Sequence, residues 1–242
     1  MTAPRLWSGA SGFAYDAWKG AFYPEKIAAD EMLAWYAGRL ATVEINNTFY
    51  RMPKRSVLEH WAASTPDHFR FAIKASKRIT HEARLKADEA AEPLGHLYRN
   101  LEALGAKRGP VLLQLPPNLK KDLPRLADFL QRLPVGHRAA FEFRNDSWLA
   151  DDTFEMLRGA QAALVISERE DHGEPTWAVT ADFGYLRLRL EQYGEADLAR
   201  WAERIALAPW REAHVYFMHE PTAPQYAATL RALYGQGAAA AC

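Results

Sequence analysis

Five apolar runs in this chain carry polar residues in alternating slots close to the end of the run. They are Val43-Glu44-Ile45-Asn46, Phe69-Arg70-Phe71-Ala72-Ile73-Lys74, Leu112-Leu113-Gln114-Leu115, Phe141-Glu142-Phe143-Arg144 and Leu186-Arg187-Leu188-Arg189. Carboxylates and lysines transfer protons, and guanidinium forks hold carboxylates or phosphates. A carboxylate among cations stays ionised, whereas a lysine crowded by arginines is pushed towards neutrality. Glu44, Lys74 and Glu142 are therefore the candidate catalytic groups, with Lys74 also open to a Schiff-base role if it is neutral. Asn46, Gln114, Arg144, Arg187 and Arg189 are candidate ligand contacts, the arginines forming a cationic wall. The competing reading is a lumen ion-pair network, Glu44 with Lys74 and Glu142 with Arg144 or Arg187, that only fills a polar interior. Arg189 can likewise pair with Glu191 or Glu220 without consequence.

Such groups meet only if a fold gathers them. In a strand, alternate side chains leave opposite faces, so the polar set of each run shares one face and the apolar set the other. Strand-like runs recur near 6–9, 43–46, 69–74, 111–115, 138–144, 163–167, 185–190 and 214–218. Helical spacing marks 31–40 with Asp30 as cap, and a helix after Asp122 with Pro124 in its first turn. It also marks 151–159, 195–207 and 224–234. Strands alternating with helices imply βαβ units and a parallel sheet. An open doubly wound sheet has central strands apolar on both faces, so charges repeated on one face favour a closed barrel. The expectation is an α/β fold, a single TIM-like (β/α)8 barrel over residues 1–236 with room for missing or shortened helices, and a flexible tail over 237–242. Such barrels typically need ~250 residues, and this chain has 242. The late strand positions put the polar set at the carboxyl-terminal mouth, where barrel enzymes carry their active sites.

Thirty Lys and Arg balance thirty Asp and Glu, so no global field draws in nucleic acid or an anionic membrane. The amino-terminal stretch lacks an apolar signal core, no segment reaches membrane-spanning length, and Cys242 is the only cysteine. A cytoplasmic protein without intrachain disulfides is expected.

Loop residues extend the candidate set. His81, after the Lys74 run, suits a proton shuttle or a helix cap. Tyr50 and Trp148 suit stacking on a ligand ring, or equally lids over the barrel end. The aromatic stretch from Phe13 to Pro24 reads as a cover folding over the barrel top.

Ser11-Gly12-Phe13 with Tyr15, Trp18, Gly20 and Phe22-Tyr23-Pro24 resembles the opening signature of the YecE-like family of uncharacterised barrel proteins. The resemblance continues through Val43 to Tyr50 with Pro53, through Phe71-Ala72-Ile73-Lys74 with Ile79-Thr80-His81, and through Leu113-Gln114-Leu115-Pro116-Pro117. It reaches Phe141-Glu142-Phe143-Arg144 ahead of Ser147-Trp148. It implies a TIM-like barrel and no established activity. The carboxyl-terminal third departs from the family pattern: Arg189-Leu190 stand where His-Gly is usual, and Phe217-Met218-His219-Glu220 where an Asn-rich turn is usual.

The favoured reading is a pocket for a small anion bearing a phosphate or carboxylate, serving a metal-independent acid–base lyase, isomerase or hydrolase with no cofactor. One alternative is a metal-dependent phosphodiesterase or sugar isomerase-like barrel using a divalent metal held by Glu44, His81, Glu142, Glu168 and His219-Glu220. The chain has no His-x-His, His-Glu-x-x-His or cysteine pair to support it. The other alternative is a non-catalytic protein binding a ligand or a nucleic-acid end. No membrane partner is expected, and the oligomeric state is not readable.

Overall fold

The computed structural model describes residues 3–170, 173–218 and 221–240. Eight parallel strands close into one barrel in sequence order, β1 (Arg5–Ser11), β2 (Thr42–Ile45), β3 (Arg70–Lys74), β4 (Arg108–Gln114), β5 (Ala139–Glu142), β6 (Ala163–Glu168), β7 (Phe183–Leu188) and β8 (Glu212–Phe217). β8 closes on β1 with Arg5 opposite Glu212 and Ala10 opposite Phe217. The helices are α1 (Met32–Ala37), α2 (Arg55–Ala63), α3 (Ala87–Leu101), α4 (Leu123–Gln131), α5 (Asp151–Gly159), α6 (Glu195–Ala206) and α7 (Ala223–Ala240). Among the described residues no helix joins β6 to β7, and none is long and apolar enough to cross a membrane.

Alternation along the strands divides the interior into two cores. Outward residues such as Phe71, Ile73, Leu113, Phe141, Ile166, Leu186 and Val215 join the helices in one cluster. Inward ones form a second cluster in which Ala72, Ala140 and Ala163 of β3, β5 and β6 face Phe183, Tyr185 and Tyr216 of β7 and β8. Small side chains on one arc leave the volume that large rings from the other arc fill, so the lumen is packed and not open.

Two helices, α2 and α3, lie outside the stretches expected from the sequence. α3 carries Pro93 inside it, a residue that reads as a break, yet Ala90, Leu94, Leu97 and Leu101 keep a helical stripe buried. α2 buries only Leu58 and Trp61. Asp122 caps α4 by accepting from the Arg125 amide at 3.1 Å, with Pro124 in the first turn as expected. Asp30 caps nothing in α1. The residue before that helix is Glu31, whose carboxylate reaches back to the Ala28 amide. α7 runs to Ala240, into the expected tail, since alanine is the strongest helix former.

The aromatic stretch after β1 packs its rings on α1 and α2, with Phe13 and Tyr15 beside Asn46 at the end of β2. Trp18 stacks on Tyr36 of α1 at 6.3 Å, Phe13 meets Trp61 of α2 edge-on, and Trp35 donates to the Phe22 carbonyl. It seals the outside of β1 and β2, because its rings find the apolar faces of α1 and α2 there. Tyr36 fastens that corner: its hydroxyl donates to the Thr42 carbonyl at 2.9 Å and accepts from the Ala10 amide at 2.8 Å. Tyr36→Phe leaves both backbone groups short of a buried partner and is expected to cost about 1–3 kcal/mol in urea unfolding. A loss below experimental error would show that corner to be held by packing alone.

Candidate functional site

At the carboxyl-terminal end of the lumen, β2, β5 and β7 are tied through one guanidinium. Arg187 donates from Nη2 to Glu44 Oε1 at 2.8 Å and from Nη1 to Glu142 Oε2 at 2.5 Å. All three side chains are sealed, with Glu44, Glu142 and Arg187 only 0%, 2% and 1% exposed. Each strand delivers its residue because it occupies the inward slot, two past an inward core residue (Thr42, Ala140, Tyr185). Glu44 also accepts from the Tyr185 hydroxyl at 2.7 Å, from Ser11 at 3.1 Å and from Asn46 Nδ2 at 2.9 Å. Glu142 accepts from Gln114 Nε2 at 2.8 Å and from Arg189 Nη2 at 2.9 Å, and Arg144 Nε lies 3.5 Å away.

Lys74 stands above this layer. Its ammonium donates to Gln114 Oε1 at 2.9 Å and lies 4.4 Å from the Phe49 ring centre. The Gln114 amide thus joins lysine to carboxylate, its oxygen on Lys74 and its nitrogen on Glu142. Lys74, Arg144 and Arg189 keep part of their surface at the mouth, whereas the carboxylates lie beneath it.

Burial alone would push both carboxyls up, but the guanidinium groups prevail. Arg187 and hydrogen bonds from its own and neighbouring side chains hold Glu44 below the ordinary range. Arg187, Arg189 and Arg144 hold Glu142 at about 2. For Arg187 the opposing cost of burial is outweighed by Glu44 and Glu142, and its pKa rises. Lys74 falls to about 8, through burial first and Arg187 next, against the pull of Glu44 and Glu142. Arg189 falls to about 10, by burial and then by Arg187. With both carboxylates ionised, Lys74, Arg144, Arg187 and Arg189 outnumber them by two charges. The surplus is carried on the side that meets solvent.

His81 sits in a π-helical turn, Arg78–Glu82, directly after the Lys74 strand. Its ring meets Phe49 edge-on at 4.9 Å and its Nδ1 lies 2.9 Å from the Thr80 hydroxyl. Burial, then Lys74, Arg144 and Arg84, lower its pKa, so the imidazole is neutral at pH 7. The turn closes on Arg84 and Leu85 in the left-handed region, at φ of 51° and 60°. Such strain in residues other than glycine gathers at functional sites.

The structure therefore brings Glu44, Asn46, Lys74, Gln114, Glu142, Arg144, Arg187 and Arg189 to one place, with His81 at its edge. Trp148 is not among them. It is fully buried, donates to the Leu119 carbonyl at 2.7 Å and stacks on Phe143, because its indole serves the β4–β5 loops. Tyr50 is 76% exposed and touches the site only through Phe49. Glu44 does not pair with Lys74, since Arg187 reaches it from across the lumen. Arg189 pairs with Glu142 and not Glu191 because it points inward, and His219 and Glu220 lie outside the described residues. Among the described residues no three His, Cys, Asp or Glu side chains gather as a metal ion requires. Glu168 faces outward and receives the Tyr193 hydroxyl.

Ser11, Tyr185 and Ser167 were missing from the sequence-derived set, although alternation contained them. Tyr185 is two residues before Arg187, Ser167 two after Val165, and Ser11 lies in the last inward slot of β1, which extends past the expected end at residue 9. A cavity of about 490 Å³ lies beside the cluster, between the end of β6 and α6, lined by Glu168, Leu190, Trp201 and Arg204 among others.

A family described as "Protein of unknown function DUF72" matches residues 7–241. The chain is 32% identical to UPF0759 protein YecE of Escherichia coli K12 over 116 residues, 48% of this chain and 42% of that protein. It is 28% identical to UPF0759 protein YunF of Bacillus subtilis strain 168 over 140 residues, 55% of this chain and 50% of that one. The chain thus spans about half the length of the relatives it matches. In fold it is similar to a DUF72 family protein from Thermotoga maritima, with a TM-score of 0.79, 23% identity and coverage of 96% and 98% of the two chains. A DUF72 family protein from Enterococcus faecalis gives 0.78 at 19% identity, covering 96% and 95%.

Proposed function

The chain belongs to the DUF72 family, whose description assigns no activity, and on that premise we propose that its barrel mouth binds a small anion. The observation that carries this reading is the layering of charge. Two carboxylates lie ionised beneath the surface; Glu142 holds Arg144 and Arg189, Gln114 holds Lys74, and these three cations present the surplus of two positive charges to the opening. Guanidinium forks fixed on one side keep their remaining N–H groups aimed outward, and preorganised donors of this kind select anions.

Glu44 and Glu142 then act as charge partners. Held below the ordinary range and sealed from solvent, neither exchanges protons with a ligand near neutral pH. The proton-transfer group of the site is Lys74, whose pKa of about 8 places its two forms within reach of each other at working pH, with neutral His81 beside it. An acid–base reaction on the bound anion is accordingly a Lys74 reaction in this account.

Calorimetric titration with inorganic phosphate, citrate and acetate tests the binding. At least one is expected to bind saturably at one site per chain, more weakly as ionic strength rises. Once each ligand's own ionisation is allowed for, affinity should hold below pH 7 and fall as pH rises through about 8, where Lys74 loses its charge. Lys74→Met is expected to bind more weakly at pH 7 and to lose that fall. Absence of saturable binding of any of the three at low salt would end the proposal.

A further inference from the structure

On the β5–β7 arc of the mouth, buried donors remain without partners. Ser167 Oγ, Arg187 Nε and Arg189 Nε are each shielded from solvent and bonded to nothing. Ser167 and Arg187 are register partners on adjacent strands, both in inward slots. Buried polar atoms are nearly always satisfied, and a group of orphan donors at one spot marks a place for an acceptor. Ser167 also lines a cavity of about 80 Å³ whose charged wall residues are the cations Arg144 and Arg169 and the carboxylates Glu142, Asp146 and Glu174. Glu174 is already paired with Arg204 at 2.7 Å. At ~30 Å³ per water, the cavity has room for two or three waters, the scale of one small oxyanion.

We propose that the anion of this mouth is a phosphoryl group, that of a small phosphate monoester, and that the Ser167 hydroxyl is one of its donors beside Arg144 and Arg189. The inference rests on the anion reading above and narrows it. Charge favours a phosphoryl group over a carboxylate: a phosphate monoester carries about −1.5 to −2 at pH 7, so Lys74, Arg144 and Arg189 attract it more strongly than a singly charged carboxylate. Donor count points the same way. Two guanidinium groups and a hydroxyl, arriving from β5, β6 and β7, surround three terminal oxygens of a tetrahedral group better than the two oxygens of a planar one. Glu142 Oε1 already occupies the inner side of both Arg144 and Arg189, which leaves their outer sides for the ligand.

Parallel titrations with inorganic phosphate, sulfate and acetate decide the matter. Phosphate is expected to bind at least tenfold tighter than acetate at pH 7. Its affinity should climb between pH 5.5 and 7.5 as its second proton leaves, while that of sulfate, a dianion throughout, shows no such climb. Ser167→Ala should weaken phosphate about tenfold and acetate less than twofold, and Ser167→Thr should restore most of the loss. Because the wild-type hydroxyl is an orphan, Ser167→Ala should leave the melting temperature of the free protein unchanged or slightly raised, which a structural serine would not do. Acetate binding as tightly as phosphate, or a Ser167→Ala variant with wild-type phosphate affinity, would overturn this inference and leave the anion reading standing. Failure of all three ions to bind would remove both.

Discussion

Arg187→Met is expected to lose about 3–5 kcal/mol of stability at pH 7, more than any other single change in the lumen, because it strands the buried Glu44 charge and leaves Glu142 with only Arg189 and Arg144. Glu44 and Glu142 both lean on that guanidinium, and neither is open to water. The loss should depend on pH, and its sign follows from linkage. In the native protein Glu142 has a folded pKa of about 2, below the unfolded value of about 4.3. Its contribution is therefore fully present above the unfolded value and is lost only as pH falls through the folded one. Without Arg187, Glu142 keeps Arg189 and Arg144, but Glu44 has no charged partner, so burial prevails there and the Glu44 carboxyl titrates above its unfolded value. The variant then gains relative to wild type as pH drops and Glu44 protonates. Urea unfolding at pH 7 and pH 4.5 measures this: the gap between wild type and variant should narrow at the lower pH. Equal gaps at both, or a loss under about 1 kcal/mol at pH 7, would mean that the triad is not the charged unit described.

Joint replacement of Arg144 and Arg189 by glutamine is expected to weaken anion binding by at least a hundredfold with little change in stability. Hydrogen bonds to charged groups are worth about 1.5–3 kcal/mol, roughly ten- to a hundredfold each in affinity. Glu142 keeps Arg187 and Gln114 in the double variant, so the sealed layer is not opened. Calorimetry gives the affinity and urea unfolding the stability. A double variant that binds as wild type would place the anion elsewhere, and one that unfolds would show these arginines to be part of the core. Buried ion pairs replaced as a whole by apolar residues often cost nothing. Stability alone therefore gives no reason for three charges in this lumen, whereas holding two cations at fixed positions does.

The strands were legible because a period of two is visible in runs as short as Phe141-Glu142-Phe143-Arg144, and the same period named the residues that meet. Pairing was not legible. Glu44 goes to Arg187 and not to Lys74 because β7 delivers a long side chain across the lumen, a matter of reach and register that no single strand encodes. α3 was hidden by Pro93, whose cost is borne by a long buried stripe. Trp148 and the Phe13–Pro24 rings drew attention as large exposed-looking aromatics in loops. Their destinations were decided by neighbouring apolar faces on the β4–β5 loops, α1 and α2. Ser167 escaped because a lone serine at a strand end carries no signal until its missing partner is seen.

Crystals grown without multivalent anions and soaked in selenate, a tetrahedral dianion with an anomalous signal, test the central claim most directly. A single strong peak within hydrogen-bond distance of Arg144, Arg189 and Ser167 is the predicted result. An empty mouth with peaks only at surface arginines would contradict it.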